Sequence, residues 1–222
     1  MNEPRPPESG YPTLAEDLLG RAQRAKEHWR TSGAERLGMT PDTLAALAQT
    51  QHDNAAGLKR IVERLRQWPG RSTVGPQACQ AAVDIAVHSD HDPAFQRTLL
   101  GLLQNAVKAG DATSAQLAHL QDRCLVNAGQ AQVYGTQHWY RPDGLLQPHP
   151  ITDPDQLDTR RASAGLPPYA EQARRLREQH GPIAFLSAPA AVELAPSLKD
   201  ERRERRHLPH APVLQPAIGS RR

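Results

Sequence analysis

Aromatic side chains make up only 4% of this sequence, and apolar residues of every kind only 38%, low values for a folded chain of 222 residues. Twenty prolines explain part of the deficit. They gather near the two ends and in 141–168, so the middle is richer in core-forming residues and is long enough to bury a core. Cysteine occurs twice, at Cys79 and Cys124, without CxxC spacing. Both fall on apolar helical faces, where a free buried thiol is the ordinary role, and nothing suggests a disulfide of an exported protein. The polar, proline-rich start MNEPRPPESGYP lacks the apolar stretch of a secretory signal. No apolar run reaches the ~18 residues of a membrane span. A soluble protein of the cytoplasm is the expectation, with no membrane partner.

Established catalytic motifs are missing too. There is no GxSxG, no P-loop, no GxGxxG after a strand and no Cys/His zinc spacing. The pI near 9.1 invites a nucleic-acid reading, but the charge is localised. Residues 199–222 hold seven basic and three acidic side chains, a net of +4, which leaves about −1 on the other 198 residues. A nucleic-acid-binding body would carry the excess itself. Nucleic acid is therefore not the expected partner of the folded part, and the tail run Arg202-Arg203-Glu204-Arg205-Arg206-His207 reads first as solvated charge.

What is present is helical periodicity. Thr13-Leu14-Ala15-Glu16 reads as a capping box opening a helix to about Arg30. Thr40-Pro41 opens a second, with Leu44, Leu47, Leu58, Ile61, Val62 and Leu65 as its stripe, a polar stretch at 49–57 that allows a bend or break, and an end at Trp68-Pro69-Gly70. Gly70–Gly75 reads as a loop, and Pro76 opens an alanine-rich helix. Asp92-Pro93 starts the clearest amphipathic pattern, with Phe95, Leu99, Leu102, Leu103 and Ala106. Thr113-Ser114-Ala115-Gln116 opens another helix, closed at Gly129. A small hairpin or extended loop follows, around 130–148, from about Gln132 to Pro148. Asp153-Pro154 caps a short helix through Arg161, and Pro167-Pro168 precedes a last one to about Gln179. The fold class is mainly α, a multi-helix bundle with that hairpin. Residues 1–12 are expected to be disordered, 13–180 to form one helical domain, and 181–222 to be a mostly disordered Pro/Ala/Arg-rich tail.

Three polar stretches can carry chemistry. His88-Ser89-Asp90-His91-Asp92 offers imidazole and carboxylate ligands that suit zinc, iron or manganese. Its histidines straddle a helix end instead of sitting at i and i+4, and Asp92 is better used as an N-cap. No metal site is assigned. Asp122-Arg123 lie on one helix, where one or both can anchor the loop that follows; arginine can hold an anion bidentately, but a salt bridge fixing the hairpin is the more ordinary role. Gln130–Gln137 places amides, a phenol and a hydroxyl around Gly135, a set that orients substrates but transfers protons poorly.

These stretches also carry a resemblance. Trp68-Pro69-Gly70, Val74-Gly75, His88, Phe95-Gln96, Asp122-Arg123 and Gln132-x-Tyr134-Gly135-Thr136-Gln137 resemble an uncharacterised bacterial domain family of unknown function. Pro150-Ile151-x-Asp153-Pro154, Asp158-x-Arg160-Arg161-x-x-x-Gly165-Leu166-Pro167 and Asn54 fit the same pattern, and the likeness covers roughly residues 45–178. It implies a helical fold and no reaction. It directs attention to His88, Gln96, Asp122, Arg123, Tyr134 and Gln137, expected to converge in a cleft between the helices of 76–109 and the loop 130–137. His88 and Asp122 stand as the candidate catalytic pair, with Gln96, Arg123, Tyr134 and Gln137 as ligand-binding groups. Two readings stay open: a domain that binds or transforms a small anionic or polar ligand, or a non-catalytic interaction module whose polar residues form an internal network. The cofactor, if any, and the oligomeric state are not specified by these residues.

Overall fold

A computed structural model describes residues 12–29, 39–141 and 146–180. The expectations for the two ends, including the basic tail, lie outside them. The described part is mainly α-helical. Its elements are α1 (Pro12–Trp29), α2 (Pro41–Leu65), the single turn α3 (Arg71–Val74), α4 (Pro76–Val87), α5 (Pro93–Lys108) and α6 (Ser114–Asn127), then the strands β1 (His138–Tyr140) and β2 (Leu146–Pro148), a 3-10 turn (Pro154–Gln156), α7 (Leu157–Ser163) and α8 (Tyr169–His180).

α4 is the hub and packs on α1, α2 and α6. Its sequence explains why. Ala78, Cys79, Ala81, Ala82, Val83, Ile85 and Ala86 are all buried, so the helix is apolar almost all round and must be surrounded. Its alanines let neighbouring backbones approach closely. Leu14 and Leu18 of α1, Leu58, Ile61 and Val62 of α2, Leu99 and Leu103 of α5 and Leu120 of α6 complete the core, with Trp68 at 2% exposure.

Most start signals operate as read. Thr40 caps α2, Asp92 Oδ1 accepts from Phe95 N–H at 3.0 Å, and Thr113 and Gln116 form a reciprocal capping box. Four local details differ. Thr13 lies inside α1, which begins at Pro12. α2 is continuous through 49–57: Gln49 Nε2 donates to Asp53 Oδ1 one turn on, at 2.9 Å, and the polar stretch belongs largely to the half of the helix that faces solvent, Leu44 included. The loop after Trp68 contains a helical turn, α3. Asp153 makes no side-chain cap; it adopts φ +41° before the 3-10 turn instead.

The hairpin is shorter than expected. His138 pairs with Pro148, Trp139 with Gln147 and Tyr140 with Leu146. Gln132 lies outside it and bridges to Ile151 in parallel. Among the described residues, no helix is long and apolar enough to cross a membrane.

Candidate functional site

The six residues singled out by sequence fall into three neighbouring arrangements. The first is built around Asp122 on α6, fully buried. Its Oδ1 accepts from the backbone N–H of Val133 (2.8 Å) and Tyr134 (3.1 Å). Its Oδ2 accepts from Thr136 N–H and Thr136 Oγ1, both at 3.0 Å, and again from Tyr134 N–H at 3.1 Å. The carboxylate thus replaces the backbone partners that a non-repetitive loop lacks. Gly135 turns the loop at φ +66°. Gln132, also fully buried, closes it: its Oε1 accepts from Gln137 N–H at 2.8 Å, and its Nε2 donates to the carbonyls of Gln137 and His149, both at 2.9 Å.

The second arrangement joins the α4–α5 turn to α6. Arg123 binds Asp90 through both Nε (2.7 Å) and Nη2, a two-pronged ion pair. Asn127 Nδ2 donates to Asp90 Oδ1 (2.9 Å) and to Gln96 Oε1 (2.7 Å). Gln96 Nε2 donates to the carbonyls of Ala86 and Val87 and to Asp90 Oδ1. Burial pushes the Asp90 carboxyl up, but Arg123, Asn127 and Gln96 outweigh it and hold it below the usual range. Arg123 is thus already engaged with an anion belonging to the protein.

The third arrangement is a groove of about 550 Å³. One wall is a stripe of α1, Leu19, Ala22, Gln23 and Lys26, and the facing wall is the Gln77, Gln80, Asp84, His88 side of α4. Both follow the i, i+3, i+4 spacing that puts residues on one helical face. His119 of α6 with Thr136 and Gln137 of the loop close one end. Of the six sequence candidates, His88 and Gln137 line this groove; Gln96, Asp122, Arg123 and Tyr134 do not. The single shared cleft is therefore resolved into a groove and two supporting networks.

His119 and Asp84 were not singled out by sequence. His119 stands one turn before Asp122 on α6, and its carbonyl accepts from Gln137 Nε2 at 3.3 Å. Burial lowers its pKa, with Arg161 acting in the same direction and Asp122 opposing, which favours a neutral imidazole. Asp84 is pushed up by burial, against the lowering effects of Gln80 and Lys26. Gln80 Nε2 donates to Asp84 Oδ1 at 2.8 Å while its Oε1 accepts from Gln116 at 3.1 Å. The groove therefore holds a base kept uncharged and a carboxyl pushed toward its protonated form, with the Gln80 and Gln137 amides held in place by hydrogen bonds within the protein.

The acidic-histidine stretch makes other contacts. His91 stacks on His52 of α2 with ring centroids 3.8 Å apart. Among the described residues, no group of three or more His, Cys, Asp or Glu side chains is placed to hold a metal ion. Cys79 is buried and Cys124 half-buried, both as free thiols.

Fold and site together define a helical bundle with a polar groove against its central helix. The chain belongs to the family of unknown function DUF6624, whose model matches residues 14–183. No curated protein and no solved structure matches it.

Proposed function

We propose that the groove between α1 and α4 binds a small polar ligand and is the place where this domain would carry out proton-transfer chemistry. The observation that supports this is the shared lining: His88, His119 and Asp84 stand around one volume with the amides of Gln80 and Gln137. Proton-transfer groups and hydrogen-bonding amides on one concave surface are what such chemistry requires. In this reading His119 takes a proton, His88 or Asp84 supplies one, and Lys26 at the rim favours a ligand with an anionic or electron-rich group. Asp122 works from behind as a positioning residue, because it holds the loop that presents Thr136 and Gln137. The free thiols of Cys79 and Cys124 suit a reducing compartment such as the cytoplasm.

The full chain can be screened by ligand-detected NMR against nucleosides, monosaccharides, amino acids and short amides. Compounds that bind are expected to lose most of their signal with His119→Ala and with His88→Ala, both folded by circular dichroism. Binding that ignores both substitutions, or a screen with no binder, would sink the reading.

A second reading has its own observation. Asp122, Arg123 and Gln96 all make hydrogen bonds to partners within the protein. An interaction module would need those networks for rigidity alone, and its groove variants would bind every tested compound as the unmodified chain does.

A further inference from the structure

A second cavity, of about 600 Å³, opens between α1 and α2, away from the groove. Arg21 and Arg24 from α1 and Thr50, Asp53, Asn54, Ala56 and Arg60 from α2 line it. Three guanidinium groups around one small concavity are unusual on a body whose charge outside the tail is about −1.

The arginines are not equivalent. Arg21 is built into the wall. Its Nη1 donates to the Asp53 carbonyl at 2.9 Å, and its Nε lies 3.0 Å from Asp17 Oδ1. Its own carbonyl accepts from Asn54 Nδ2 at 3.4 Å. Gly57 makes room for it: a Cβ there would come within 2.3 Å of Arg21 Cζ. Arg24 and Arg60 are exposed, and among the described residues neither has a carboxylate partner within ion-pair distance. Asp53, the one carboxylate among the described lining residues, accepts from Gln49 Nε2. Arg21 is thus compensated by Asp17, and Arg24 and Arg60 set against Asp53 leave a net of one positive charge over the cavity.

We infer that this cavity is an anion site for a phosphate-bearing small molecule, with Arg24 and Arg60 as the clamping groups and Arg21 as the fixed wall. A planar guanidinium takes carboxylate or phosphate oxygens two at a time, and two such groups reaching from two helices call for more acceptor oxygens than one halide or carboxylate carries, which favours a phosphoryl group. The volume suits a phosphorylated metabolite. A long polyanion would need a charged track beyond the cavity, and a net charge of about −1 on residues 1–198 gives no overall excess to favour one.

The test uses inorganic pyrophosphate and the full chain, by isothermal titration calorimetry at low ionic strength. Arg24→Gln/Arg60→Gln is expected to weaken binding by at least about tenfold, the scale of losing charge-assisted hydrogen bonds. A variant with Arg202, Arg203, Arg205 and Arg206 changed to Gln controls for the tail and should bind within about twofold of the unmodified chain. Both substituted arginines are exposed, so an unchanged thermal transition is expected to show that the fold is intact. The inference is overturned if the double variant binds pyrophosphate normally, if affinity follows the tail variant, or if no binding is found. It is also overturned if duplex DNA binds through Arg24 and Arg60 while pyrophosphate does not. Because the two cavities share no lining residue among the described ones, the His88 and His119 variants should leave pyrophosphate binding intact, so failure here is separable from failure of the groove.

Discussion

Asp122 accepts two hydrogen bonds from Thr136, one from its backbone N–H and one from its hydroxyl, each at 3.0 Å. With Val133 and Tyr134 as further donors, the carboxylate fixes a loop eleven to fourteen residues further along the chain. Asp122→Asn replaces an all-acceptor group with one that points an NH₂ at N–H donors. A buried donor left without its acceptor costs about 1–3 kcal/mol. Urea unfolding should show a loss in that range, and amide exchange should speed up at 133–137 well before the helices. If Asn is tolerated within about 0.5 kcal/mol, the scale of an ordinary surface change, the loop is held by something else.

His149 makes stability depend on pH. Burial, reinforced by the nearby Arg123, lowers its pKa to about 4. The unfolded chain binds its proton near pH 6.5, so between those values it holds more protons than the folded one. The contribution is fully present above about pH 6.5 and is lost as pH falls toward 4, by about 2–3 kcal/mol. His149→Gln should flatten the stability profile over that window. Arg123→Gln should raise the His149 pKa, read from its imidazole resonances. A titration near 6.5 in the unmodified protein would remove the basis for both.

How much of this was legible beforehand follows from the range of each interaction. Caps are local, so Thr40, Asp92 and Thr113 could be read directly from a polar residue before an apolar run. The alanine-rich α4 likewise announced a helix meant for close packing. Polar residues that look alike in sequence, however, acquire different tasks from the tertiary contacts. Arg123 was attractive as an anion ligand until Asp90, 33 residues away, filled that position. His119 carries no motif of its own and matters only because α6 brings it beside Gln137. The bend expected in α2 did not occur because a polar stretch can also be the solvent side of a continuous helix.

Gly135 illustrates a constraint visible in both sequence and structure. Its φ is +66°, and a Cβ there would lie 3.1–3.3 Å from the ring of Tyr169 and from Ile151 Cδ1. Gly135→Ala therefore combines left-handed backbone strain of about 1–2 kcal/mol with a crowded contact. A loss of about 2 kcal/mol in equilibrium unfolding is expected. Tyr169, pushed up to about 12 mainly by burial despite Arg161 and Arg177, would move toward solvent. Its ultraviolet titration should then fall toward 10. A neutral substitution would mean that the loop can shift away from α8 at little cost.

Arg161 offers the sharpest distinction between charge and shape. It is fully buried. Its Nη1 donates to the Tyr134 carbonyl at 2.6 Å, its Nε to the Pro167 carbonyl at 2.8 Å and its Nη2 to Gln172 Oε1 at 2.7 Å. One planar group thereby ties the 134 loop to the start of α8. Arg161→Lys keeps the charge, but an ammonium cannot reach three acceptors spread around a guanidinium plane. It should destabilise the fold by about 2–4 kcal/mol, close to Arg161→Gln, because the stranded carbonyls dominate the loss. If Lys instead restores most of the stability lost in Gln, the electrostatic pull of Asp158 and Asp122 outweighs the geometry of the fork.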